Sequence, residues 1–421
     1  MPAAVSVLTD LLMVFVAAKL AGELVLRLGQ PPVIGELLVG VAIGPYVLGL
    51  IGRPDSAVIE LFHQDPAMAA EAVHLALEVV AEVGVVVLLF FVGLETRLEE
   101  MLRVGWRAAM VGALGVAFPF AAGTGLMLAL GEPAVESLFI GVALVATSVG
   151  ITARVLRDLG VLGAPEARII LGAAVIDDIL GLLMLTIVSG IGSSGEVRVD
   201  RVLVIATLAL GFTVLVGLGG TWIARRWFYL LVRRLRIDDA AVVVSLALML
   251  GLAVLAASIG LAAIVGAFLA GMMLSEVADQ FQLERRVQPL YDFLVPYFFV
   301  VTGSFVDPQI FFQRETLGLA ALVSLVAIVT KAVGAGLGSL GLGLRSLAVI
   351  GVGMVPRGEV GLIVASIGLS MGVIQHRLFS VVVVMAVVTT LIVPPLLTWL
   401  LQTLAQRGPD VTAEVASPSD S

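Results

Sequence analysis

Two adjacent carboxylates stand where carboxylates are costly. Asp177 and Asp178 lie in Ala173-Ala174-Val175-Ile176-Asp177-Asp178-Ile179-Leu180-Gly181-Leu182, inside an apolar run from about 169 to 188. A run of about 20 apolar residues crosses a bilayer as a helix. An ionisable group at that depth costs roughly 2.5–3.5 kcal/mol on insertion scales, so by default it marks an ion or proton path. Neighbours on a helix are turned by about 100°. One Asp can therefore face a cavity while the other faces a neighbouring helix. The plain alternative, a helix end among the headgroups, is opposed by the apolar flanks on both sides.

Lys331 is the cation that suits this pair. It lies deep in Val326-Ala327-Ile328-Val329-Thr330-Lys331-Ala332-Val333-Gly334-Ala335, too central for a comfortable snorkel. A buried ammonium needs a carboxylate, and Asp177 or Asp178 can supply it. Two other stretches read as interrupted helices. The first is Val145-Ala146-Thr147-Ser148-Val149-Gly150-Ile151-Thr152, the second Gly353-Met354-Val355-Pro356-Arg357-Gly358-Glu359-Val360-Gly361. A hard cation such as Na⁺ wants oxygen ligands. A carboxylate, the hydroxyls of Thr147 and Ser148, opened backbone and water would provide them. Arg357 and Glu359 are expected to stabilise the opened backbone and each other rather than bind the ion. One carboxylate cannot hold Na⁺ and a proton together, so competition at the Asp pair is the simplest basis for exchange. A second titrating unit, the Asp–Lys pair, could carry another proton and make the cycle electrogenic. Such titrations are coupled and belong to the set rather than to one residue.

The elements that must position these groups follow from composition. The chain has 421 residues, 60% of them hydrophobic and 13% charged, against about 25% charged in soluble domains. It reads as an all-α polytopic membrane protein. There is no Cys, and His63, His74 and His376 have no metal-ligand spacing. No nucleophile–base pair is visible, so neither an enzyme nor a cofactor is expected beyond the transported ions. The net charge of −8 says little about partners, because much of it lies in loops and the tail; nucleic acid is not an expected partner. The first apolar run follows Asp10 and no basic stretch, so it reads as a membrane helix rather than a cleaved signal.

About thirteen apolar segments are expected, roughly 6–27, 32–51, 72–94, 106–130, 134–156, 167–190, 202–224, 240–258, 260–276, 289–306, 316–339, 345–371 and 377–402, with a disordered tail over 408–421. With the N-terminus outside, sixteen Arg fall in inner loops and five in outer ones. The positive-inside bias then puts the N-terminus outside and the C-terminus in the cytoplasm. The two interrupted segments are the fifth and the twelfth. Seven apart, they run in opposite directions, as in an inverted repeat whose broken helices cross near the midplane. Opened backbone is tolerable there only against protein or water. Lys19 and Glu23 form an i, i+4 pair, and Glu36 follows Pro31-Pro32 at a helix start; both read as structural. Glu78 and Glu82 share a face that could line an outer funnel. The stretch 224–239, with five Arg beside Trp227, Phe228 and Tyr229, reads as a connector at the headgroup layer.

These stretches resemble a known family. Arg27-Leu28-Gly29-Gln30-Pro31-Pro32-Val33-Ile34-Gly35-Glu36-Leu37-Leu38-Val39-Gly40, Phe90-Phe91-Val92-Gly93-Leu94-Glu95, Ala146-Thr147-Ser148-Val149-Gly150-Ile151-Thr152, Val175-Ile176-Asp177-Asp178 and Val355-Pro356-Arg357-Gly358-Glu359 together are similar to the monovalent cation:proton antiporter-2 family. The Asp pair with Lys331 resembles its NapA-type sodium/proton antiporters. The glutathione-gated potassium-efflux members usually have Gln-Asp at the pair and a cytosolic nucleotide-binding domain, which the short tail is not expected to hold. The resemblance implies an antiporter domain over 1–407, with core helices over 106–190 and 316–402 and dimerisation or panel helices over 6–51 and 202–276. It implies a homodimer among membrane lipids, in a bacterial inner membrane, whose core moves like an elevator. By position it implies that Asp178 binds the ion, that Asp177 is salt-bridged to Lys331, and that Thr147 and Ser148 stand at the crossing. The function expected is Na⁺(Li⁺)/H⁺ antiport. Two alternatives are K⁺/H⁺ exchange on the same scaffold and sodium-coupled symport of an organic solute. The latter needs a sizeable substrate pocket and no ammonium beside the carboxylates.

Overall fold

The computed structural model describes residues 2–52, 54, 58–59, 65–194, 198–305 and 314–405; the tail 408–421 lies outside them. Every regular element among the described residues is a helix. In chain order they are α1 (Pro2–Arg27), α2 (Pro32–Ile43), α3 (Pro66–Leu94), α4 (Leu98–Ala129), α5 (Ala134–Ala143), α6 (Val149–Asp158), α7 (Pro165–Ser194), α8 (Val199–Arg234), α9 (Ala240–Ser258), α10 (Ala263–Phe281), α11 (Leu283–Ser304), α12 (Arg314–Gly338), α13 (Leu344–Gly353), α14 (Glu359–Ser370) and α15 (His376–Ala405). Among the described residues, eight stretches are long and apolar enough to cross a membrane, by length and composition.

Local chemistry sets the ends. Proline opens α2, α3 and α7, where its missing N–H is no loss. Asp65 caps α3 by accepting from the N–H groups of Ala67 and Met68 at 2.9 and 3.2 Å. The seventh segment runs further than its apolar stretch implied. Instead of ending near 224, α8 continues to Arg234, with π-helical turns at Leu215–Gly220 and Ala224–Phe228. No Gly or Pro interrupts 221–234, and Arg stems can lie along an apolar surface while their heads reach water.

The helices pack in two groups. In one, α4 lies against α12 and α7, and α12 also meets α13 and α15. In the other, α3 lies against α10 and α11, α11 against α2, and α2 against α1. The half-helix α6 touches both groups, because it contacts α7 and α15 as well as α2 and α3. Lys19 turns out to face α11 rather than Glu23. Its ammonium donates to the Asp292 carbonyl at 2.7 Å, and Glu23 takes Arg27 at 3.0 Å instead.

Close backbone approach locks the second group. A Cβ on Gly271 of α10 would stand 2.1 Å from the Phe90 carbonyl of α3, and one on Gly93 would stand 2.3 Å from the Phe268 carbonyl. Small residues at such crossings let membrane helices interlock where no hydrophobic drive exists between them. Gly271→Ala should therefore lower detergent-solubilised stability by about 1–3 kcal/mol. Gly251→Ala, with nothing within 4 Å of the new Cβ, should be neutral or gain up to about 1 kcal/mol from helix propensity. Paired thermal unfolding of the two variants checks this, and equal shifts would refute it.

Candidate ion site at the helix crossing

The two interrupted segments each split into half-helices, with breaks at 144–148 and 354–358. An opened helix leaves its last carbonyls and the next first N–H groups unpaired. At bilayer depth each needs a partner, and the two breaks supply partners to one another. The Ser148 N–H donates to the Pro356 carbonyl at 2.8 Å. Beyond the end of α13, the Thr147 and Thr152 hydroxyls donate to the carbonyls of Met354 and Gly353 at 3.3 and 2.6 Å.

The end of α5 is capped differently, by two cations. Arg357 Nη1 donates to the Val145 and Ala146 carbonyls at 2.9 and 2.6 Å, and Lys331 Nζ donates to the same Val145 carbonyl at 2.7 Å. A helix C-terminus carries partial negative charge, so cations are favourable there. Arg357 is itself held by α15. Its N–H donates to the Thr389 hydroxyl at 3.1 Å, and the Thr390 hydroxyl donates to its carbonyl at 2.6 Å. Arg357 thus reaches across to the other break; the Glu359 side chain lies outside the described residues.

Lys331 also meets the Asp pair. Its ammonium stands 2.6 Å from Asp177 Oδ1, with both side chains fully buried. Asp178, one residue on, is half-buried. It faces a cavity of about 220 Å³ lined also by Ala146, Gly260, Leu261, Val360 and Ile363. A neighbouring cavity of about 250 Å³ carries Glu78 and Glu82 and shares Ala262, Val360 and Ile363 with the first. Asp177 lines the same cavity, so the adjacent acids differ in burial and pairing: Asp177 is buried against Lys331, and Asp178 is half-buried.

At the other end of α6, salt bridges and rings close the structure. Arg154 donates to Asp158 at 2.9 Å, to the Tyr291 hydroxyl at 3.1 Å and to Glu36 at 3.5 Å. Arg157 donates to Gln288 at 2.6 Å, lies 3.6 Å from Glu95, and stacks 3.8 Å from the Tyr291 ring centre. Glu95 follows the end of α3; burial holds its carboxyl above the usual carboxylate range against the pull of Arg157. Nearby, Arg225 of α8 bridges Glu99 of α4 and Glu276 of α10.

Sequence reasoning missed several of these groups. Arg154 and Arg157 counted only as loop charges, although Arg154 is almost fully buried. Thr389 and Thr390 gave a faint signal, two adjacent hydroxyls in an apolar run. The Val145 carbonyl gave none, because a carbonyl's role depends on where the helix opens.

A crossing of two broken helices beside buried, oppositely charged groups defines a secondary ion transporter. The profile of the family described as "Sodium/hydrogen exchanger, transmembrane" matches residues 11–403. The chain belongs to that family, and it is a transporter rather than an enzyme. It is 40% identical over 412 residues to the high-affinity Na⁺/H⁺ antiporter NhaS3 of Synechocystis, covering 92% of this chain and 88% of that one. It is 35% identical over 394 residues to the Na⁺/H⁺-K⁺ antiporter GerN of Bacillus cereus, covering 91% and 94%. The fold matches the sodium proton antiporter MjNhaP1 of Methanocaldococcus jannaschii with a TM-score of 0.66 and 16% identity, over 95% of this chain and 98% of that one.

Close contact at the crossing is testable. A Cβ on Gly358 would stand 2.6 Å from Ser148 Oγ and 2.8 Å from its Cβ. Gly358→Ala should push the breaks apart and lower stability by about 1–3 kcal/mol. Thermal unfolding in detergent measures it, and a wild-type melting point would contradict the tight crossing.

Proposed function

We propose that this chain exchanges Na⁺ or Li⁺ for protons, with Asp178 as the carboxylate for which cation and proton compete and the Asp177–Lys331 pair as the second proton-handling unit. The observation that carries the proposal is the inequality of the two acids. Both border the cavity, but Asp177 is buried and already neutralised by an ammonium at 2.6 Å, while Asp178 is half-buried. A bare Na⁺ can take one Asp178 oxygen, with Thr147, Ser148, opened backbone and water as further oxygen donors. Two protons against one Na⁺ make the exchange electrogenic.

The Arg-rich end is assigned to the cytoplasm and the N-terminus to the outside, in a bacterial inner membrane, the sequence relatives named above coming from bacteria. The cavities holding Glu78, Glu82 and Asp178 then open the site from outside, while Arg154, Arg157 and Arg225 close the cytoplasmic side. These bridges join helices of the two packed groups, so they must break if one group moves past the other. That supports an elevator motion of the α4–α7 and α12–α15 group against the α1–α3 and α8–α11 group. The exposed leucines of α1 and α8, such as Leu8, Leu12, Leu203 and Leu215, suit a homodimer interface or lipid.

Proteoliposomes with an imposed pH gradient test the reading. Addition of Na⁺ or Li⁺, with K⁺ and no cation as comparisons, should move protons and swing a voltage dye. Asp178→Asn should reduce exchange to background while the protein still melts cooperatively; exchange at the wild-type rate would sink the Asp178 assignment. Lys331→Gln should keep slower exchange with a weakened voltage signal. An active Lys331→Gln protein with the full voltage signal would remove the proton-carrying role from the pair.

A further inference from the structure

The Arg357 guanidinium uses one of its three nitrogens at the crossing. Nη1 serves the carbonyls of Val145 and Ala146. Nε and Nη2 are buried and have no acceptor among the described residues. Asp177 is the mirror case. Lys331 takes its Oδ1 at 2.6 Å, and its Oδ2 is buried with no donor among the described residues. Unused donors and an unused acceptor therefore flank the same carbonyl. The Val145 oxygen accepts from Lys331 at 2.7 Å and from Arg357 at 2.9 Å.

The two cations differ in kind. A lysine ammonium can give up its proton, while an arginine in a protein does not. An antiport cycle that opens the Asp177–Lys331 pair would leave Asp177 as an unpaired buried charge, which is strongly unfavourable. We infer that Arg357 is a standby counter-ion for Asp177: when the bond to Lys331 opens, the unused guanidinium donors take the carboxylate. The planar fork makes this possible without losing the crossing. Nη1 stays on the carbonyls of the first break while Nη2 or Nε turns to the acid. A role confined to stapling the breaks accounts for Nη1. It gives no reason for two further donors to be buried beside a carbonyl that Asp177's own partner also holds. The consequence for exchange is that Asp177 keeps a charged hydrogen-bond partner in every step.

This inference rests on the proposed cycle for its trigger, and the test separates the two. Wild type, Lys331→Gln, Arg357→Lys and the double variant are compared by liposome exchange and by melting in detergent, and the structure of Lys331→Gln is determined. Arg357→Lys keeps a charge on the carbonyls but loses the fork. The structure of Lys331→Gln should have Arg357 Nε or Nη2 within hydrogen-bond distance of Asp177, with Nη1 still on residues 145 and 146. The double variant should exchange roughly tenfold more slowly than the product of the single effects allows, and restoring Arg at 357 alone should recover the difference. A guanidinium that keeps its place in Lys331→Gln, whatever else it bonds, overturns the inference. So do single effects that simply multiply with equal melting shifts in both backgrounds, and so does a Lys331→Gln protein that cannot fold. Should Arg357→Lys not fold, the Lys331→Gln structure decides alone. If wild type exchanges no cation, the antiport reading falls, while the structure and melting arms still judge the standby contact.

Discussion

Everything at the centre of this protein follows from the cost of opening a helix where no water can repair it. Breaks at 144–148 and 354–358 expose backbone groups at bilayer depth, where each unsatisfied group costs several kcal/mol. The chain meets that demand with pairs of breaks rather than with solvent. Hydroxyls of Thr147 and Thr152 serve one helix end, cations of Lys331 and Arg357 serve the other, and a backbone bond from Ser148 to Pro356 ties them. The charged groups then need their own partners, which draws Asp177 into the core. The crossing and the buried ion pair are thus one solution to one problem.

The same logic explains how much the sequence disclosed. Long apolar runs and interrupting Gly, Pro and charges are one-dimensional signals, so the helices and both breaks could be read along the chain. Adjacent acids in an apolar run and a lone central lysine stood out for the same reason. Contacts across the bundle did not. Nothing local says that Arg154 leaves its loop to meet Glu36 and Tyr291, or that Lys19 prefers a carbonyl of α11 to Glu23. The length of α8 was underread because its last turns are amphiphilic, and apolar runs stop where arginines begin.

Closure at one end and space at the other are also physically linked. Arg154, Arg157 and Arg225 join helices that belong to different packed groups. A buried bridge such as Arg154–Glu36 is a poor source of net stability, and an exposed one such as Arg225–Glu99 adds little. Their value lies in having a defined geometry that is either made or broken. Residues that sequence reading treated as topology markers therefore become contacts between the two packed groups.

The unequal capping of the two breaks carries a last consequence. A carrier built from two identical halves, inverted in the membrane, would look the same after trading inside for outside, and its two end states would be equally populated. Here one half-helix end bears two cations and its counterpart bears two hydroxyls, so the interchange no longer maps the protein onto itself. The scaffold is paired, but its charge is handed. Each difference of about 1.4 kcal/mol between the end states skews their populations tenfold. Exchange must still respect the ion gradients. The half-saturating cation concentration need not be the same on the two faces of the membrane, and the handed charge at the crossing gives that difference a molecular origin.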